Sequence, residues 1–320
     1  MINEKELHSL LALLDDTDRE VVEHVEQRIL SYGEEVIPLL ENAWQDHFSA
    51  LLQQRVEQLI QRIRFTALIQ DLKQWNNHDN PDLLEGVWLV SRYRYPWLQM
   101  HDVEIEIDRI KLDIWLEMHN VLSALEKVRV INHVIYSVHG FKGNTKNYHA
   151  PQNSFINDVL AMRSSNHIGM SIVYALVAQR LNLPVYGINL PNHFLLCYKE
   201  ENENWHYEAE SFNTHHDLNY KEGQVLFYIN AFNNGVLFSR KNLDQLLKQM
   251  HLEPRPEYFE PCSNQDIVKR VLRNLFYAYD ELDEGQRCTE VNDMLSALDE
   301  APLSRIPKNE AQDADEGEDE

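Results

Sequence analysis

The sequence predicts an α+β protein, mostly helical, in which one central helix packs on a small antiparallel sheet. Three observations predict it. The run from Ile168 to about Leu181 is apolar on most faces of a helix, the pattern of a helix with no solvent side. Beyond Pro184 the apolar residues recur at period two, the signature of half-buried strands. Both flanks of this region repeat their apolar residues at helical spacing instead.

Taken in order, residues 5–65 read as paired helices. Thr17 and Glu20 form a candidate capping box ahead of Val21, Val25 and Ile29, and Gly33 is placed to end that helix. A second pair follows along Val36, Leu39 and Leu40, then Leu51, Leu52, Val56, Leu59, Ile60 and Ile63. The wording LLDDTDREVVEHVEQRIL with SYGEEVIPLLENAW resembles HEAT-type repeats, which bury their faces by stacking. Asn80 and Pro81 read as cap and first residue of the next helix, DLLEGVWLVSRY, which the Tyr95-Pro96-Trp97 corner ends. VEIEI alternates like a strand, but Val103, Ile107, Ile110 and Ile114 fit a helix over a longer window, and the longer window decides. A further helix is expected from Val121 to Val138, stopped by Gly140.

Gly140 to Asn153 is a loop of functional length, followed by a short helix, NDVLAMR, and the central apolar helix. Five strands are expected after it: VYGINL, HFLLCYK, WHYEAES, VLFYINAF and VLFS, with turns at ENEN and at Asn234-Gly235. Helices return in NLDQLLKQM and, past a Pro-rich joint at 254–261, in QDIVKRVLRNLFYAYDEL and CTEVNDMLSAL, a pair that resembles one TPR-type hairpin. The expected organisation is a HEAT-like region at 1–76, a core at 77–250, a TPR-like region at 251–306 and a disordered acidic tail at 307–320.

A formal charge of -23 argues against tracking a phosphate backbone, which needs clustered Lys and Arg. No run approaches the roughly 20 apolar residues that span a bilayer, and MINEKELHSL lacks the charge-then-apolar order of a secretory signal. Cys197, Cys262 and Cys288 are too few and scattered for a disulfide framework. These features predict a cytoplasmic protein with no nucleic-acid or membrane partner.

A helix packed on a sheet, with His193 leading one strand and a polar residue on a later one, is an arrangement suited to thiol chemistry. A thiolate at a helix N-terminus is stabilised by the dipole, a histidine across the cleft takes its proton, and an Asp or Asn fixes the imidazole. The segments FKGNTKNYHAPQNSFINDVL, SNHIGMSIVY, QRLNLPVYGINLPNHFLL and FYINAFNNGVLF resemble the transglutaminase-like superfamily, and within it the bacterial SirB-type branch. The resemblance implies a papain/transglutaminase-like core. It also implies a Cys-His-Asp triad whose histidine falls on His193 and whose third member falls on Asn230. The cysteine would fall between Asn166 and Gly169, where this chain has none. Cys197 lies on the strand of His193 but about 13 Å along it.

The predicted function is therefore a non-catalytic protein-interaction or regulatory module, its partner another protein, with no cofactor and no metal. His193 and Asn230 are then a vestigial dyad, and Asn144, Tyr148, Asn153, Asn166, His167 and Ser171 line the cleft. Asn144, Asn147, Tyr148 and Asn153 are also suited to fixing the turns of the long loop. The alternative is a degenerate amide or ester hydrolase or acyltransferase, with His193 as base, Asn230 as its orienter, and a serine or water attacking. A His167–His193 metal pair would lack a carboxylate at recognisable spacing.

Overall fold

The computed structural model describes residues 4–44, 50–119, 121–199 and 224–305. The expected strand WHYEAES, the ENEN turn and the acidic tail lie outside the described residues. The chain divides into two compact units, Met1–Gln74 and Trp75–Glu320.

The first unit is helical: α1 (Glu4–Leu13), α2 (Arg19–Leu30), a 3-10 turn at Gly33–Val36, α3 (Ile37–Trp44) and α4 (Ala50–Asn76), whose last two residues count with the second unit. Its core is the predicted apolar set, including Val25, Ile29, Leu40, Val56, Leu59 and Ile63, joined by Leu7 and Leu11 of α1 and by Leu14 just past it. The cap of α2 differs from the expected Thr17–Glu20 box. Asp18 holds that position and its carboxylate accepts from the Glu20 N–H at 2.9 Å, because an anion at a helix start also meets the positive end of the dipole. Gly33 adopts φ +65°, the left-handed turn that favours glycine.

The second unit starts with α5 (Leu83–Arg94), α6 (Met100–Glu117) and α7 (Ala124–Asn132), the last running on as wider π-type turns over His133–Val138. The cap of α5 is Asp82, taking the Glu85 N–H at 2.8 Å, rather than the expected Asn80 with Pro81 at the first helical position. The Trp75 indole N–H anchors the Asp82 carbonyl at 2.8 Å, which sets the entry of the helix past the proline. α6 is helical throughout, with Val103, Ile107, Ile110 and Ile114 buried, so the longer window did decide.

Then follow β1 (Lys142–Gly143), a 3-10 turn at Pro151–Ser154, α8 (Ile156–Met162), β2 (Ser164–Ser165) and α9 (His167–Arg180). After α9 come β3 (Val185–Leu190), β4 (His193–Lys199), β5 (Val225–Asn230), a 3-10 turn at Ala231–Asn233 and β6 (Val236–Phe238). Three helices end the described chain: α10 (Arg240–Gln249), α11 (Asn264–Glu281) and α12 (Gly285–Ala297). The architecture is α+β and mostly helical.

The sheet is antiparallel with strands in sequence order, β3-β4-β5-β6, and pairs Ile188 with Leu195, Cys197 with Tyr228 and Ile229 with Leu237. One face carries Ile188, Leu190, Leu195, Cys197 and Tyr228 against Leu243 and Leu247 of α10 and against Tyr258 and Phe259. α9 packs on β3 and β4 and is backed by α6 and α8, so every side chain from Ile168 to Ala178 is buried.

Two phenols tie the helices to the turn after β5. The Tyr136 hydroxyl donates to the Ala231 carbonyl at 2.7 Å. The Tyr174 hydroxyl donates to Asn132 Oδ1 at 3.0 Å, and Asn132 Nδ2 donates to the Gly235 carbonyl at 2.9 Å. Gly235 has no room for a side chain there, since a Cβ would stand 2.1 Å from Asn132 Oδ1. Tyr174→Phe removes the first link of this chain and strands the Asn132 oxygen. It is expected to lower the stability of the second unit by about 1–2 kcal/mol in urea denaturation; an unchanged midpoint would show that the clasp carries no weight.

Candidate functional site

The site is built from the head of α9 outward. Asn166 caps the helix, its Oδ1 accepting the Gly169 N–H at 3.1 Å. Gly169 is pressed against β2 and the preceding loop: a Cβ would lie 2.0 Å from Ser165 Oγ and 2.9 Å from the Asn153 carbonyl. Ser165 Oγ donates to that carbonyl at 3.0 Å. The Asn153 side chain, 1% exposed, donates to the carbonyls of Asn147 at 2.7 Å and Tyr148 at 2.8 Å, and accepts from Asn144 Nδ2 at 3.1 Å. Asn144 Oδ1 takes the Asn147 N–H at 3.1 Å. The long loop is thus fixed by its own asparagines: Asn144 and Asn153 spend their side-chain polar atoms on backbone and on each other, and Asn166 gives its Oδ1 to the helix start.

What the loop presents is Tyr148. Its hydroxyl meets His167 Nδ1 at 2.8 Å, and the backbone N–H of His167 also acts on it. Burial holds the phenol above its ordinary pKa, so it stays protonated and donates to Nδ1. The His167 ring stacks on Phe232, with centroids 4.1 Å apart and planes at 19°, and its other neighbour is His193, with centroids at 5.1 Å. Phe232 stands on the turn after β5 and lies over Gly143, where a Cβ would come within 2.7 Å of its ring. Composition offered no reason to single out one phenylalanine among eleven; the signal is positional, two residues past Asn230.

The structure joins His193 to His167, and through that ring to Tyr148, but shows no hydrogen bond from it to Asn230. Asn230 Oδ1 accepts the Asn233 N–H at 3.1 Å and caps its own 3-10 turn. The buried Nδ1 of His193 has no hydrogen-bond partner among the described residues. Ser171 lies inside α9 at 1% exposure, its hydroxyl likewise without a partner among them. Burial pushes Cys197 and Cys262 up to about 12 and raises Cys288 as well, so all three thiols stay protonated. No group of three or more His, Cys, Asp or Glu able to hold a metal occurs among the described residues.

The electrostatics are set by burial and by one arginine. His167 is depressed to about 4, first by burial, then by His193 and by Arg270 of α11. Arg270 is itself half-buried and held below its ordinary value, chiefly by burial and then by Arg273. Sequence reading passed over Arg270, because α11 reads as part of a separate helical hairpin, whereas it packs on the Pro151–Ser154 turn, on α9 and on β3. Tyr148 also lines a cavity of about 570 Å³ together with Arg94, Asp158, Tyr279 and Arg287.

Two outcomes follow. Gly169→Ala would gain about 1 kcal/mol of helix propensity. It must displace Ser165 and its bond to Asn153, an overpacking and unpaired-carbonyl cost of about 2–5 kcal/mol, so chemical denaturation should show a net loss. The His167 value lies below the ordinary 6.5, so as pH falls from 6.5 toward 4 the unfolded chain binds a proton that the folded chain refuses. Stability should fall over that window and be insensitive to this group above it; unfolding free energies of wild type and His167→Gln, plotted against pH, should differ in slope within that window.

Known proteins carry similar sequence. A UPF0162 protein of Xylella fastidiosa is 26% identical over 234 residues, covering 68% of this chain and 75% of the relative. A UPF0162 protein of Vibrio cholerae is 22% identical over 219 residues, covering 67% and 73%. The mouse F-box only protein 21 is 34% identical over 119 residues, 37% of this chain and 17% of that one. No solved structure matched the chain. The family model described as the transglutaminase-like superfamily matches residues 101–273, more than half of the chain, from α6 into α11 and across the whole site. The chain belongs to the transglutaminase-like superfamily.

Proposed function

We propose that this chain is a non-catalytic member of the superfamily, of the SirB-type branch, whose core is a cytoplasmic protein-binding module between HEAT-like and TPR-like helices. The observation that carries the reading is the filled head of α9. His167 stands in the stretch where the resemblance puts the nucleophile, stacked on Phe232 and bonded to Tyr148. It is a neutral base in a place that calls for a thiolate.

Two further observations support a binding role. α6 carries Ile105, Leu112 and Leu116 at helical spacing, 49%, 52% and 63% exposed, beside Trp115 at 61%. An apolar stripe left in water is a common mark of a protein contact. The similarity to F-box only protein 21 spans a small share of a longer chain, as expected of a module reused in different settings.

The test has two arms. Purified protein offered a panel of peptide amides, esters and amine acceptors should show no hydrolysis or cross-linking. Turnover abolished by His193→Ala would overturn the reading in favour of a degenerate hydrolase. Affinity capture from the native host should recover protein partners that are lost with Leu112→Glu/Leu116→Glu while circular dichroism is unchanged; retention by the double variant would move the contact off α6.

A further inference from the structure

Arg270 has no ion pair and no hydrogen bond to any described residue, although it is half-buried among packed elements. That is an unusual way to leave a guanidinium. Its neighbour Arg273 is paired with Glu300 at 2.6 Å, and Asp280 at the end of the same helix is paired with Arg305, beyond α12, at 2.7 Å. Arg270 lies close enough to Tyr148 and His167 for its charge to act on both, and among the described residues the groups that act on it in turn are another cation, Arg273, and the phenols of Tyr148 and Tyr277. The ring of His193, which lies against His167, also carries a buried Nδ1 without a partner among the described residues.

A half-buried cation is costly to desolvate unless an anion meets it, and a planar guanidinium matches the two oxygens of a carboxylate or phosphate. The histidines cannot supply the missing charge. His167 is neutral at physiological pH and can serve only as a hydrogen-bonding wall, with the phenol of Tyr148 already engaged to it. We infer that the cleft where Arg270 of α11 lies by Tyr148 and His167 is a binding site for the oxyanion of a ligand, a carboxylate or a phosphate, with Arg270 as the anchor and His167, with His193 against its ring, as the adjoining wall. The inference rests on the reading of this cleft as a binding site, and it names the chemistry of what binds.

The test is a titration of isotope-labelled full-length protein with sodium phosphate and, separately, with sodium glutarate, at constant ionic strength, following the ring C–H signals of His167 and His193. Saturable shifts with at least one anion are expected, and which anion produces them separates phosphate from carboxylate ligands. Arg270→Gln should weaken the apparent affinity at least about tenfold, the loss of a charge-assisted hydrogen bond, while Lys269→Gln should leave it unchanged. Arg270→Met guards against a purely structural role. If the guanidinium has no partner in the free protein, this variant melts at or above the wild-type temperature and loses the response. Absence of saturable shifts with both anions, shifts that persist in Arg270→Gln, or a markedly lowered melting temperature in Arg270→Met would each overturn the inference. Failure here leaves the amide and ester assays untouched, so the two readings stand or fall separately.

Discussion

The structure depends on burying α9 on every side. A helix with no solvent face cannot satisfy its first-turn N–H groups with water, so its head must be closed by protein. Asn166 closes part of it, and Tyr148 approaches the His167 N–H. From this need the rest of the site follows. Asn166 can cap only if the backbone enters from β2, β2 is held because Ser165 bonds the Asn153 carbonyl, and Asn153 is held because it gathers the loop from Asn144 to Tyr148. The loop's length, which looks extravagant in the sequence, is the length needed to bring a phenol over the helix start.

The same constraint separates what the sequence revealed from what it hid. Apolar patterning reports burial, and burial is what orders α9, α6 and β3 to β5; α6 and these strands are long enough for their period to show, and α9 shows itself by lacking a polar face. Helix caps were less readable, because Thr17, Asp18, Asn80 and Asp82 are all competent caps and the choice between neighbours is made by where tertiary packing starts the helix. In the candidate site, His193 and His167 could be found because a histidine near an apolar helix or strand start stands out. Phe232 and Arg270 could not. A phenylalanine in a turn and an arginine on an amphipathic helix are unremarkable locally, and only the approach of the β5–β6 turn and of α11 to the head of α9 gives them a part. The asparagines were legible as a group but not in their individual bonds, since any of them can fix a turn.

His193 and Asn230 show how a catalytic frame can persist while its couplings change. Asn230 stands where an orienting residue is expected, yet its side chain closes the turn that carries Phe232, and Phe232 in turn holds His167 beside His193. The contact between the two histidines therefore runs through packing rather than through a hydrogen bond. Packing of this kind preserves the shape of a cleft without the tautomer control that proton transfer needs.

Charge sets the terms on which such a cleft can bind anything. The protein as a whole carries a formal charge of -23, so an approaching anion meets repulsion at long range. Repulsion of that kind is screened within about 10 Å at ordinary salt. Inside that distance, a half-buried guanidinium acts through a lower dielectric than surface charges do. Attraction at Arg270 is therefore short-ranged and depends on the ligand fitting close to Tyr148 and the histidine ring. A free anion passing over the surface gains little from it. A group carried on a larger ligand, with other contacts bringing it to the cleft, gains the full charge-assisted bond, and this makes a single uncompensated arginine a selective anchor in an acidic protein.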